Sequence, residues 1–216
     1  MMKIEDYQAL AMRTSPEGHD RVMNGSMGLI GESGEIMDVV KKWKFQSGEN
    51  AELPKDKLID ECGDVLWYCA ELCEGLNESF AGIVKEHRQN PMQFKDVHSI
   101  SDLAYCLTLI CARPYGMLCC ECSLEADGYP MNSRRPDCFR NICAIVALVS
   151  HILINFCDFT LEEAMERNVE KLKKRYPDGF DPERSLHRPG YEIVGEEINE
   201  YANPFRFLFE MRNRTI

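Results

Sequence analysis

Leu29-Ile30-Gly31-Glu32-Ser33-Gly34-Glu35-Ile36-Met37 returns 29 residues later as Leu58-Ile59-Asp60-Glu61-Cys62-Gly63-Asp64-Val65-Leu66. Both copies set two acids three residues apart, with a glycine directly before the second acid and apolar residues on either side. A three-residue step puts both carboxylates on neighbouring positions of one helix face. Four carboxylates on two similar helices make an oxygen-rich site suited to Mg²⁺ or Mn²⁺.

Helical phasing sharpens the repeat. Advancing 100° per residue puts Leu29, Ser33, Ile36, Met37, Val40 and Trp43 on one arc. Leu58, Cys62, Val65, Leu66, Cys69 and Leu76 share the corresponding arc of the second copy. Glu32 and Glu61 fall at the same azimuth on the border of that arc, and Glu35 and Asp64 one step further round. Gly34 and Gly63 are expected on the polar side, where a missing side chain leaves room for a ligand or a neighbouring backbone. Each costs about 1 kcal/mol of helix propensity against Ala, so two at matching positions suggest a purpose. An isolated Glu-x-x-Glu is ordinarily a solvated face. Two aligned pairs beside an apolar seam are different, because bare carboxylates are costly there and a divalent cation resolves the cost.

Outside the repeat, helical periodicity dominates and β-signals are weak before the last 30 residues. A first helix is expected over residues 4–13, the two acidic helices over about 20–45 and 55–75, and a resumption towards 85. Ser99 and Asp102 resemble a capping box for a helix to about 113, and 116–125 is read as a short helix. Pro136 suits the first turn of a helix to about 156, and Thr160 with Glu163 caps another to about 175. The tail beyond Pro189 mixes acids with Phe205-Arg206-Phe207-Leu208-Phe209 and reads as a strap on the body or on a partner.

With 216 residues the chain can bury a core, and one domain with an elaboration is the default. A net charge of −11 argues against a nucleic acid polymer as main partner, since phosphate neutralisation needs clustered Lys and Arg. The start carries no apolar run of the signal-peptide kind. The most apolar stretch, residues 142–157, includes Ser150, His151 and Asn155 and reads as a buried helix rather than a membrane span. Eleven cysteines, mostly within apolar runs, suit reduced thiols in a cytoplasmic protein. Cys119-Cys120-Glu121-Cys122 would need a second ligand pair from Cys138, Cys143 or His151 to hold zinc, and packed thiols are the favoured reading. The histidines, His19 and His151 among them, read as surface or core residues.

Glu32-x-x-Glu35, a 25-residue spacer and Glu61-x-x-Asp64 resemble the signature of the all-α nucleoside triphosphate pyrophosphohydrolases. The wording is most similar to MazG-like proteins of phage and bacterial type: Asp6-Tyr7-Gln8, then Gly28 to Glu35, then Glu61-Cys62-Gly63-Asp64-Val65-Leu66-Trp67-Tyr68. Asn168-Val169-Glu170-Lys171-Leu172 and the run to Phe180, closing on Glu183-Arg184-Ser185, match further. The resemblance covers roughly 4–80 and 159–188, and about 80 residues (81–158) stand where the compact family joins its helices almost directly. It implies an all-α fold, with a MazG-like four-helix-bundle core over 1–188, a helical insertion and a tail over 189–216. The insertion either fills the place of a second subunit or modifies substrate access, and a homodimer is compatible with the sequence.

The implied reaction is hydrolysis of a nucleoside triphosphate to monophosphate and pyrophosphate. By matching position, Glu32, Glu35, Glu61 and Asp64 are metal ligands for Mg²⁺, with Mn²⁺ as substitute. Glu35 and Glu61 are the catalytic candidates, Glu35 being favoured to handle the attacking water. Lys42, Asn168, Lys171 and Arg175 are candidates for phosphate, with a solvated helix face as the competing reading. Trp43 and Tyr68 either stack on a base or pack. A di-iron protein would carry Glu-x-x-His pairs, which are absent from the sequence. A non-catalytic nucleotide sensor on the same fold is the alternative.

Overall fold

Local chemistry sets the helix ends. The Asp20 carboxylate accepts from the backbone N–H groups of Val22 and Met23 at 3.0 Å each, starting α2, Arg21–Gln46. Thr160 and Glu163 exchange side-chain and backbone bonds as a full capping box at the start of α7, Leu161–Arg175. Lys173, Lys174 and Arg175 in its last turn complement the helix dipole. Asn77 ends α3, Lys55–Leu76, in the left-handed region at φ 59°, a conformation Asn tolerates better than most residues.

The computed structural model describes residues 2–48, 50–92, 94, 97, 99–114 and 135–186. The remaining helices are α1 (Ile4–Met12), α4 (Phe80–Gln89), α5 (Ile100–Cys111) and α6 (Arg135–Ile152), which continues as a π turn through Leu153–Cys157. The chain is all-α, and no strand occurs among the described residues. Contacts divide it into Met1–Asp181 and Pro182–Ile216, the second unit being described only by α8, Pro182–Leu186. The 116–125 helix, Cys119–Cys122 and the tail beyond Pro189 lie outside the described residues.

Within the first unit α3 is the central rod, touching α1, α2, α4, α6 and α7. That position explains a departure from the expected half-polar helix. Gly63 is buried rather than on the polar side, because α7 closes over it: an added Cβ would stand 3.1 Å from Asn168 Cβ. Gly34 does face open space. Trp67 donates its indole N–H to Ala11 O at 3.0 Å and to Thr14 Oγ1 at 3.1 Å, fixing the end of α1 on α3. The Asp6-Tyr7-Gln8 phrase is a clasp. Tyr7 is fully buried against Phe80, while Gln8 accepts from Phe80 N and donates to Glu74.

The inserted segment packs on this core. α5 lies on α2, and α6 lies on α4, α5 and α3. Residues Asp137–Cys157 are long and apolar enough to cross a membrane, yet 67% of their most apolar 18-residue window is buried inside the fold. Ile142, Ile145, Val146, Leu148, Val149 and Ile152 have no exposed surface, so this apolarity is spent on packing. Every described cysteine is a free thiol, and burial pushes Cys111 up to about 12 and Cys143 and Cys157 to about 11.

Candidate metal centre

Glycines set the register of α2 against α3. Gly25 abuts the Leu72 backbone, and a Cβ on Gly28 would lie 2.1 Å from the Tyr68 ring. Gly75 meets Val22, so the helices run antiparallel and facing residue numbers add to about 97. This register sets Glu32 opposite Asp64 and Glu35 opposite Glu61. The two copies of the repeated phrase therefore meet head to tail across one groove.

One carboxylate oxygen from each of Glu32, Glu61 and Asp64 lies within 4.8 Å of the other two. Glu61 is 9% exposed, and Glu32 and Asp64 are half-buried. Burial first, then the charges of Asp64, Glu35 and Glu61, raise Glu32 to about 8. Burial, then Glu35 and Asp64, raise Glu61 to about 7, while Lys171 pulls both acids down. Glu35 itself is exposed and stands outside the group of three, acting on it through charge.

α7 brings the complementary charge. Asn168 donates its amide N–H to Asp64 Oδ1 at 2.7 Å, and Lys171 donates to Oδ1 at 2.7 Å and Oδ2 at 2.6 Å. These two residues thus converge on the acidic centre rather than decorating a solvated helix. Asn168 is 2% exposed, and its own Oδ1 is buried without a hydrogen-bond partner. Arg167 fastens the same interface, donating to both Asp60 oxygens and to Asp56.

Other candidates sit elsewhere. Lys42 pairs with Asp38 at 2.5 Å on the exposed face of α2. Trp43 donates its indole N–H to Ala51 O at 2.9 Å and so pins the loop after α2. Tyr68 lies over Gly28 and edge-on to Trp67, one turn from Asp64. Arg175 is exposed, one turn beyond Lys171.

Glu71 is a buried acid outside the repeated phrase. This carboxylate has no exposed surface and accepts from Ser15 Oγ at 2.8 Å and Asn24 Nδ2 at 2.6 Å, with His19 Nε2 at 2.8 Å. The signal was available. Glu71 lies seven residues past Asp64, two turns along the same face, inside an otherwise apolar run.

The centre fits a hard divalent cation. Its donors are all oxygen, burial and neighbouring acids make the ionised forms of Glu32 and Glu61 costly in the absence of a cation, and a buried amide oxygen is left unpaired beside them. One pH effect follows directly. Glu32 and Glu61 bind protons more tightly in the folded than in the unfolded chain, so stability is greatest below their ordinary carboxylate range. It falls as pH rises through about 7 and 8. Thermal melts in a chelator from pH 5 to 9 should show a declining midpoint, and a flat or rising curve would contradict this electrostatic picture.

No family model matches the chain, and no solved structure matches it. A similar curated protein is the Gene 37 protein of Mycobacterium phage L5, 35% identical over 72 residues. The match takes in 33% of this chain and 63% of that relative, whose name describes no activity.

Proposed function

We propose that the chain is a divalent-metal-dependent nucleoside triphosphate pyrophosphohydrolase of the MazG-like all-α type, working in the cytoplasm. The observation that carries the reading is the convergence of Glu32, Glu61 and Asp64 with Lys171 and Asn168, at positions the sequence motifs mark. Glu32, Glu61 and Asp64 would hold Mg²⁺, or Mn²⁺ in its place, and Glu35 opposite Glu61 would complete the set. When bound, the metal neutralises triphosphate charge and makes a coordinated water more acidic.

The protein's own groups do the rest. Glu35, exposed at the groove mouth, takes a proton from the water as its oxygen attacks the α-phosphorus. The bond from that phosphorus to the bridging oxygen breaks, and pyrophosphate leaves with the electron pair. Lys171 and Arg175, on successive turns of α7, offer ammonium and guanidinium to the leaving oxygens. Tyr68, one turn along α3 from Asp64, would provide a ring against which a base stacks. Lys42 and Trp43 have weaker support, being engaged with Asp38 and Ala51.

The test is Mg²⁺-dependent release of pyrophosphate from a panel of ribo- and deoxynucleoside triphosphates. Pyrophosphate and monophosphate in equal amounts are expected from at least one substrate. Nucleotide binding without turnover would support a sensor instead, and orthophosphate as first product would exclude attack at the α-phosphorus.

A further inference from the structure

Asp64 is already engaged. Of the roughly four lone-pair positions on a carboxylate, three are filled: Asn168 and Lys171 on Oδ1, and Lys171 again on Oδ2. The Lys171 ammonium spans both oxygens, which is where a cation shared with Glu32 and Glu61 would sit. The contact is half-buried, with side-chain exposures of 26% for Lys171 and 25% for Asp64, so water competes only partly for either group. The lysine also faces the rest of the cluster, since its charge acts on both Glu32 and Glu61.

Resting on the metal-site reading above, we infer that Lys171 is a resident counter-cation that leaves Asp64 when a divalent ion enters, and is then delivered to substrate phosphate. Three carboxylates facing one groove repel each other, and an ammonium at 2.6 Å from one of them supplies the positive charge that keeps the ion-free bundle closed. An ion carrying two charges compensates the same acids better, but the lysine and the ion cannot both occupy the cradle of Asp64. A lysine suits this exchange better than an arginine, because its ammonium is a compact point charge on a flexible four-carbon stem. Asn168 is too buried to leave, so it keeps the carboxylate oriented while Lys171 swings. The ammonium is thereby released within reach of the groove when phosphate oxygens arrive, which couples metal loading to substrate capture.

The experiment uses the full chain, with Mn²⁺ binding followed by electron paramagnetic resonance and lysine reactivity followed by acetylation and mass spectrometry. Lys171 should be acetylated several-fold faster with saturating Mg²⁺ than in chelator, with other lysines unchanged. An α,β-methylene nucleotide added with Mg²⁺ should protect it again. Lys171→Met should bind Mn²⁺ about 5- to 10-fold tighter than wild type, the exchange of one half-buried charged contact. It should also melt lower than wild type in chelator, and the Mn²⁺-induced rise in its midpoint should be the larger of the two. Unchanged Lys171 reactivity in Mg²⁺-saturated protein, or Mn²⁺ affinity equal to or weaker than wild type in the variant, overturns the displacement while leaving the metal site standing. Absence of Mn²⁺ binding by both proteins overturns the metal site itself, and the displacement with it.

Discussion

Glu61→Gln is expected to abolish pyrophosphate release while leaving the metal-free protein at least as stable as wild type at pH 8. The two halves of this result have one cause. Glu61 is 9% exposed, faces Glu35 across the α2–α3 groove and shares a 4.8 Å cluster with Glu32 and Asp64. Near pH 8 its ionised form is penalised first by burial and then by the charges of Glu35 and Asp64, which is why its proton is held to about 7. An amide of the same shape removes that repulsion and keeps the packing of α3. It also removes an anionic group proposed to ligate the metal, and metal-ion charge stabilisation is worth several kcal/mol in reactions of the proposed kind, so the rate should fall on the order of 100-fold or more. Steady-state kinetics and a chelator melt on the same preparation check both halves. Unimpaired turnover would remove Glu61 from the site. A large loss of stability would show that the residue is structural.

Glu71→Ala should do the opposite, destabilising the fold strongly wherever activity is measured. The substitution strands the hydroxyl of Ser15 and the amide of Asn24, takes the acceptor from His19, and opens a hole beside Leu72 in the most crowded helix. Leaving buried polar groups unsatisfied costs about 1–3 kcal/mol each, so a total of about 3–5 kcal/mol is expected after partial relaxation. For a domain of this size that lowers the melting midpoint by about 6–20 °C. Ser15 and His19 belong to the connection between α1 and α2, so proteolysis there should accelerate in the variant. A midpoint within about 2 °C of wild type would mean that the cluster is dispensable, the effect being smaller than 1 kcal/mol.

The repeated phrase disclosed much of this because helix geometry is periodic. Phase along a helix is a local property, so Glu32, Glu61 and Asp64 could be placed beside an apolar seam from spacing alone. The cap residues Asp20, Ser99 and Thr160 were legible for the same reason, each serving backbone groups within a few residues. What stayed hidden depends on the third dimension. Gly63 looked polar-facing because nothing in its own helix reveals that α7 covers it. Glu35 belongs to the motif as fully as Glu32, yet the pitch of α2 turns it to the exposed rim while three other acids converge. Lys171 was legible as a phosphate candidate, but its engagement with Asp64 joins residues 107 positions apart. Glu71 takes Ser15 and His19 from a loop whose path no periodicity describes, and Asn24 from the first turn of a different helix.

The proposed reaction and the Lys171 exchange both require that the acid trio bind a divalent cation. Anomalous diffraction from crystals grown with Mn²⁺ tests it most directly. A peak is expected within about 2.0–2.2 Å of oxygens from Glu32, Glu61 and Asp64, with Lys171 withdrawn from Asp64 and Glu35 turned towards the groove. Density for Lys171 still spanning both Asp64 oxygens, with no anomalous peak among the three acids at saturating Mn²⁺, would contradict it.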